Sequence, residues 1–167
     1  MLGRPNVGKS TLLNALVGQK LAAVTRKPQT TRTRISGILT TDDTQFVFLD
    51  TPGIVEPRYR LQEHMVRSAF AAAKGADVLL YMIDVTRAPH PADAKILERL
   101  GSARAPLFLV LNKVDRINKP LLLPLLEHYS RGDRFAEYVP ISSKRGTGLA
   151  DLRAAMRGYL PEGPAIF

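Results

Sequence analysis

The 167-residue chain has no cysteine, which excludes a disulfide framework and a thiolate metal site and fits a reducing compartment. Acidic residues are also few. Fifteen Asp and Glu stand against 24 Lys and Arg, a formal charge of +9 that favours polyanionic partners such as nucleic acid or acidic lipid. Histidine is scarce, and His64, His90 and His128 lie too far apart in sequence for metal-ligand spacing. Long apolar runs are missing as well. The longest, residues 78–83 and 107–111, are far too short to span a bilayer, and no signal-peptide pattern precedes them. A soluble, cytoplasmic monomer is expected, with peripheral contact at an acidic inner membrane face as the membrane option its charge leaves open.

What is present suffices for one good core: the chain is 45% hydrophobic and of single-domain length. Short apolar runs alternate with segments of helical period from end to end, which reads as α/β. A short helix over residues 9–17 stops at Gly18, and residues 20–34 are polar, basic and loop-like. Residues 35–41 and 45–49 read as two strands around Asp42 and Asp43, with Gly37 marking an irregularity. In residues 60–74, Leu61, Met65, Ala69, Phe70 and Ala73 form a helical stripe expected to pack on a sheet. Residues 78–83 and 107–111 lack alternation, as strands covered on both faces do. Helices are expected at 92–100 and 121–129 and a strand at 138–141. A last helix would bury Leu149, Leu152 and Met156, and residues 161–167 begin a linker.

Gly3-Arg4-Pro5-Asn6-Val7-Gly8-Lys9-Ser10, followed by Thr11, fits a phosphate-binding loop that opens a helix. Its glycines let backbone N–H groups close around phosphate oxygens. Lys9 reaches the outer phosphates, and the Ser10 hydroxyl can ligate magnesium. Only Met1 and Leu2 precede Gly3, so the strand feeding this loop is expected to be largely missing and the natural chain to begin further upstream.

Asp50-Thr51-Pro52-Gly53 follows the strand at 45–49, on the edge where open α/β sheets bind ligands. There Asp50 would hold magnesium, and the Gly53 N–H can approach a γ-phosphate because no side chain blocks it. Asn112-Lys113-Val114-Asp115 follows the strand at 107–111. The Asp115 carboxylate can accept two hydrogen bonds from guanine N1–H and its amino group, a donor pair that adenine lacks. Lys113 would lay its stem along the base, and Asn112 would tie this loop to the phosphate loop. Ser142-Ser143-Lys144 completes the base pocket by offering a backbone N–H to the guanine carbonyl oxygen. A P-loop ATPase is the competing reading, and Asp115 argues against it.

These four elements resemble those of the translation-factor-related P-loop GTPases. Pro28-Gln29-Thr30-Thr31-Arg32, Gly3-Arg4-Pro5-Asn6 and Leu160-Pro161-Glu162-Gly163-Pro164 look like the Era subfamily, with Der-like and MnmE-like proteins as its sister groups. The resemblance covers essentially the whole chain. It implies a three-layer α/β P-loop GTPase fold with a mostly parallel sheet, one antiparallel strand and helices on both faces. It also implies a Mg²⁺-dependent GTPase switch spanning residues 1–160, alternating between GTP and GDP.

By the same resemblance Thr31 closes onto magnesium and the γ-phosphate, with Thr30 as second choice. Lys9, Thr31, Gly53 and Asn6 would carry the chemistry, and Ser10, Thr31 and Asp50 the metal. Many such enzymes place glutamine directly after the Asp-x-x-Gly element, where this chain has Ile54, so slow intrinsic turnover is expected. Related GTPases with an asparagine at the position of Asn6 use K⁺ in place of an arginine finger, which implies potassium stimulation; otherwise Asn6 only hydrogen-bonds within its loop. Era-like proteins bind small-subunit ribosomal RNA during subunit assembly through a C-terminal KH domain, for which nothing after Leu160 provides. The alternative is a nucleotide-dependent ribosome-binding module with negligible hydrolysis of its own.

Overall fold

The computed structural model describes residues 1–18 and 35–167, Ile35 by its backbone alone. In chain order the elements are β1 (Leu2–Gly3), α1 (Lys9–Val17), β2 (Ile35–Thr40), β3 (Gln45–Leu49), α2 (Arg60–Lys74), β4 (Leu79–Asp84), α3 (Pro91–Leu100), β5 (Leu107–Asn112), α4 (Leu122–Ser130), β6 (Glu137–Pro140) and α5 (Leu149–Arg157). Four strands form a parallel sheet in the order β1-β4-β5-β6, and β2 and β3 form a separate antiparallel pair. The antiparallel relation is thus confined to one hairpin. Its ladder shifts register between Ile35 and Gly37, at the glycine that the sequence marks as irregular.

Strands β4 and β5 are buried along their full length, and their alternate side chains feed two separate cores. Leu79, Tyr81, Ile83, Leu107, Leu109 and Leu111 meet α2, α3 and α4 on one face. Leu80, Met82, Phe108 and Val110 meet α1 and α5 on the other. Two covered faces explain why these strands show no alternation in sequence. Full burial of each Leu or Phe here contributes roughly 1.5–3 kcal/mol.

The hairpin joins the sheet through the start of the chain. The Met1 amino group donates to the Leu49 carbonyl (2.7 Å), and the Thr51 hydroxyl donates to the Met1 carbonyl (2.8 Å). Beyond them the Ile54 N–H donates to Gly3 (2.9 Å), so the segment after β3 is fixed against the two-residue β1. At the far end of the hairpin, Gln45 clasps residues 161–167. Its amide accepts from the N–H groups of Ile166 and Phe167 (2.9 Å each) and donates to the Phe167 carbonyl (2.8 Å). Asp43 and Arg157 pair between the hairpin turn and the end of α5.

In α2 the buried positions are Val66, Ala69 and Ala73, while Leu61 of the expected stripe is 62% exposed. Leu61 lies in the first turn of the helix, before its first buried position at Val66, a residue the stripe did not include. Helix α3 begins with a capping box. His90 Nδ1 accepts from the Ala92 N–H (3.1 Å), the Asp93 carboxylate accepts from the His90 N–H (3.4 Å), and Pro91 opens the first turn.

Asp93 has a second duty in the core. Its buried carboxylate accepts from the hydroxyls of Tyr81 (2.7 Å) and Tyr129 (2.5 Å), tying β4 to α3 and α4. Burial, and then the adjacent Asp93 charge, push the Tyr81 phenol well above its ordinary range, so it remains a donor throughout the accessible pH range. Tyr81→Phe removes one charge-assisted donor from a buried carboxylate. It is expected to cost about 2 kcal/mol in urea unfolding with no change in nucleotide affinity.

Among the described residues, no helix is long and apolar enough to cross a membrane.

Candidate functional site

The loops after β1, β3 and β5 converge, together with the segment after β6, at the carboxyl ends of the parallel strands. The first loop turns on two left-handed residues, Asn6 (φ 61°) and Gly8 (φ 106°). Gly8 caps α1 and is irreplaceable on two counts. An L side chain rarely adopts this φ, and a Cβ here would lie 2.2 Å from the Asn112 side-chain nitrogen. Lys9 is buried and its ammonium donates to the carbonyls of Gly3 (3.3 Å) and Arg4 (2.9 Å), so its charge lies across the start of the loop. Burial lowers its pKa and the Asp50 charge partly restores it. A bound phosphate would favour the charged form in the same way. Arg4 is partly exposed, Val7 is buried, and Pro5, Asn6, Ser10 and Thr11 are exposed.

Asp50 faces this loop from the end of β3. Its Oδ2 accepts from the Ser10 hydroxyl (3.4 Å), whereas its Oδ1 is buried with no hydrogen-bond partner among the described residues. A buried carboxylate oxygen without a donor is costly, and a cation is the partner that would satisfy it. With the adjacent hydroxyl it makes an oxygen donor set suited to Mg²⁺. Thr51 is buried, Pro52 is exposed, and Gly53 meets the phosphate loop: a Cβ on it would lie 2.8 Å from the Pro5 backbone.

The third loop is tied to the first by Asn112, which is 2% exposed. Its side-chain N–H donates to the Val7 carbonyl (2.8 Å), and its Oδ1 accepts from the Ser143 N–H and hydroxyl (3.0 Å each). One amide therefore joins the phosphate loop to the segment at the opposite end of the site. Lys113, held at φ 68°, donates to the Asn6 carbonyl (2.9 Å) and pairs with Asp84 (2.6 Å). The Asp115 carboxylate accepts from the Ser142 hydroxyl (2.7 Å) and lies 3.7 Å from the Arg145 guanidinium.

Within Ser142-Ser143-Lys144, the Ser142 N–H is bound to Thr147 and the Ser143 N–H to Asn112. Of these three backbone N–H groups, that of Lys144 alone has no acceptor among the described residues. It is the donor the segment can offer to a base carbonyl. The expected switch residue Thr31, its alternative Thr30, and the basic residues Lys20, Arg26, Lys27, Arg32 and Arg34 lie outside the described residues.

Two participants escape the motif reading. Asp84, the last residue of β4, anchors Lys113 and is itself held by the Thr86 N–H (2.9 Å) and hydroxyl (2.6 Å). Burial pushes its carboxyl up, but the Lys113 and Thr86 bonds outweigh that and leave it below its ordinary value of 3.8. A carboxylate closing a buried strand at the ligand edge was the available signal. The other, Arg145, follows the last motif directly and pairs with Asp115 across the mouth.

The Ser142 hydrogen bond, opposed by desolvation and helped by the Arg145 and Arg116 charges, holds Asp115 below its ordinary value of 3.8. A depressed carboxylate keeps its charge above that value and loses it only as pH falls through its folded pKa. The ratio of GDP to ADP affinity is therefore expected to stay constant as pH is lowered from about 8 to about 5. Competitive nucleotide titration checks it, and a ratio that falls over that range would contradict this protonation state.

Comparison with known proteins agrees with this arrangement. A family model described as 50S ribosome-binding GTPase matches residues 1–113. GTPase Era of Syntrophus aciditrophicus is 48% identical over all 167 residues, and that of Lactobacillus delbrueckii subsp. bulgaricus 44%. The chain spans 55% of the length of each. Among solved structures, Era in complex with MgGDPNP and nucleotides 1506–1542 of 16S ribosomal RNA superimposes with a TM-score of 0.87 at 40% identity, covering 99% of this chain and 57% of that one. A point variant of Aquifex aeolicus Era bound to GDP·AlF4⁻ gives a TM-score of 0.86 at 40% identity, with the same coverage.

Proposed function

The chain belongs to the 50S ribosome-binding GTPase family, and from that premise we propose that it is the nucleotide-binding switch of an Era-type GTPase. Residues 1–160 would form the GTP-binding domain and residues 161–167 the start of a linker. The observation that carries this reading is the Asn112 side chain, which bonds at once to Val7 in the phosphate loop and to Ser143 beside Asp115. That bridge supports reading the phosphate cradle and a guanine-selecting carboxylate as parts of one site.

In this reading Gly3 to Thr11 wrap the phosphates, Lys9 carries charge to the outer ones, and Gly53 presents its N–H to the γ-phosphate. Asp115 and the Lys144 N–H read the base edge. Asn112, Lys113, Ser142 and Ser143 hold these groups in register, with Asp84 anchoring Lys113. Thr51 fixes the loop after β3 to Met1, and Pro52 leads into Gly53. Ser10 and Asp50, with Thr31, would hold Mg²⁺, which when bound neutralises charge on the transferring phosphoryl group. Ile54 is buried in the core with its N–H bound to Gly3, so it offers nothing to an attacking water and favours slow turnover.

Phosphate release from GTP under multiple turnover, with and without small ribosomal subunits, tests the reading. Turnover of the chain alone supports a self-sufficient enzyme. Turnover that needs the ribosome supports the binding-module alternative, and none in either condition overturns the GTPase assignment.

By its resemblance to Era-type proteins, the whole protein would act in small-subunit assembly and contact ribosomal RNA mainly through a KH domain. Asn6 adds a finer expectation. Its side chain is exposed on the phosphate loop and has no hydrogen-bond partner among the described residues, so it is free to help ligate a monovalent cation. Hydrolysis is then expected to run about tenfold faster in K⁺ than in Na⁺ at matched ionic strength. Equal rates would assign Asn6 to loop structure alone.

A further inference from the structure

A second cavity lies away from the nucleotide site, between the start of α3 and the end of α4. It has a volume of about 400 Å³, and its lining includes His90, Leu97, His128, Tyr129, Arg131 and Arg134. That volume is in the range of roughly 300–1,000 Å³ that takes a single small-molecule-sized group. The one carboxylate in its wall, Asp93, has both oxygens occupied by Tyr81, Tyr129 and the His90 N–H. Among the described residues, neither the Arg131 nor the Arg134 guanidinium has an ion-pair or hydrogen-bond partner. Two unpaired guanidiniums against one satisfied carboxylate leave the wall positive. Asp133, between the arginines in sequence, acts on the Tyr138 phenol, which lies on neither α3 nor α4.

The rest of the wall combines ring side chains with apolar ones. The exposed His128 ring makes a T-shaped contact with Tyr129, with centroids 5.0 Å apart and planes at 84°. Pro89, Pro91 and Leu97 supply the apolar side. Guanidinium forks match phosphate bidentately, and aromatic faces stack on bases whatever their identity. An acidic peptide would use the arginines but not the ring faces.

We infer that this cavity binds one nucleotide unit of single-stranded RNA, its base against His128 and its phosphate between Arg131 and Arg134. The assignment rests on the reading above that this protein works on RNA, and it places an accessory contact on the nucleotide-binding domain itself. The two sites are linked in sequence, because residues 85–90 run directly from Asp84, which anchors Lys113, to His90 at the cavity.

The test is binding of a short fluorescein-labelled oligoadenylate to the GDP-loaded chain over a range of salt. The variant Arg131→Ala/Arg134→Ala is expected to lower affinity about tenfold near 0.1 M salt and to flatten log affinity against log salt by about 1.4, two contacts at about 0.7 each. His128→Ala should lower affinity at least about fivefold with the slope unchanged, as loss of a stacking face requires. GDP affinity, measured for every variant, should not move.

Unchanged affinity and slope in the double variant would overturn the inference, as would displacement of the oligonucleotide by polyaspartate at equal charge concentration. GDP binding without oligonucleotide binding by the parent chain sinks this site alone. Failure of GDP binding itself sinks the nucleotide-switch reading instead.

Discussion

Asp115→Asn is expected to lower GTP affinity roughly 10⁴-fold and to create affinity for xanthosine triphosphate, because it changes which pair of groups the site shows to the base. The carboxylate accepts twice and guanine donates twice, from N1–H and the exocyclic amino group. An asparagine amide accepts once and donates once, so its N–H2 would point at the guanine amino group. Xanthine, with a carbonyl where guanine has that amino group, restores complementarity. Locally the substitution is mild. The Ser142 hydroxyl can still donate to the amide oxygen, and only the 3.7 Å pairing with Arg145 is lost at the exposed mouth. The fold should therefore survive, and competition between the two triphosphates isolates the effect on recognition. If the variant retains GTP and ignores xanthosine triphosphate, Asp115 does not contact the base.

Gly8→Ala should act at the opposite end and through the fold. The added methyl meets a backbone held at φ 106° and an Asn112 nitrogen 2.2 Å away. Either the loop opens, at roughly 1–3 kcal/mol for a strained left-handed residue, or Asn112 withdraws and leaves the Val7 carbonyl unpaired at a similar cost. A loss of roughly 1–3 kcal/mol in urea unfolding is expected, with GDP binding abolished under conditions where the parent saturates. Asn112→Ala supplies the comparison, since it removes the amide that the methyl would strike. If Gly8→Ala on that background costs as much as on the parent, the contact with Asn112 is not the source of the damage.

Most of the architecture could be read in advance because its signals are local. The helices at residues 9–17 and 60–74 and the strand at 45–49 have the expected bounds, since Gly18, Gly75 and the Asp42–Asp43 turn punctuate them. The four motifs stand out in sequence because phosphate and base recognition need particular residue types at the ends of strands; their described residues lie together at one edge of the sheet, while Thr31 lies outside the described residues. What could not be read depends on the third dimension. Leu61 fits a helical stripe, but how far α2 lies along the sheet decides which stripe residues are covered, and no periodicity encodes that offset. Asp84 is a common residue at a strand end, and only the 2.6 Å approach of Lys113, just past the neighbouring strand β5, gives it a role. The Tyr81–Asp93–Tyr129 cluster joins three elements scattered along the chain, so nothing local announces it. Residues 161–167 read as linker by composition, yet they hold Gln45 at the start of β3, a contact across 122 residues of sequence that nothing local announces.

The most direct measurement is calorimetric titration of the chain with GDP and with ADP in the presence of Mg²⁺. One GDP per chain is expected, bound roughly 10⁴-fold more tightly than ADP, because in the proposed reading a single site carries both a base-choosing carboxylate and a phosphate-gripping loop. Equal affinity for the two nucleotides would show that Asp115 and the phosphate loop do not share a ligand.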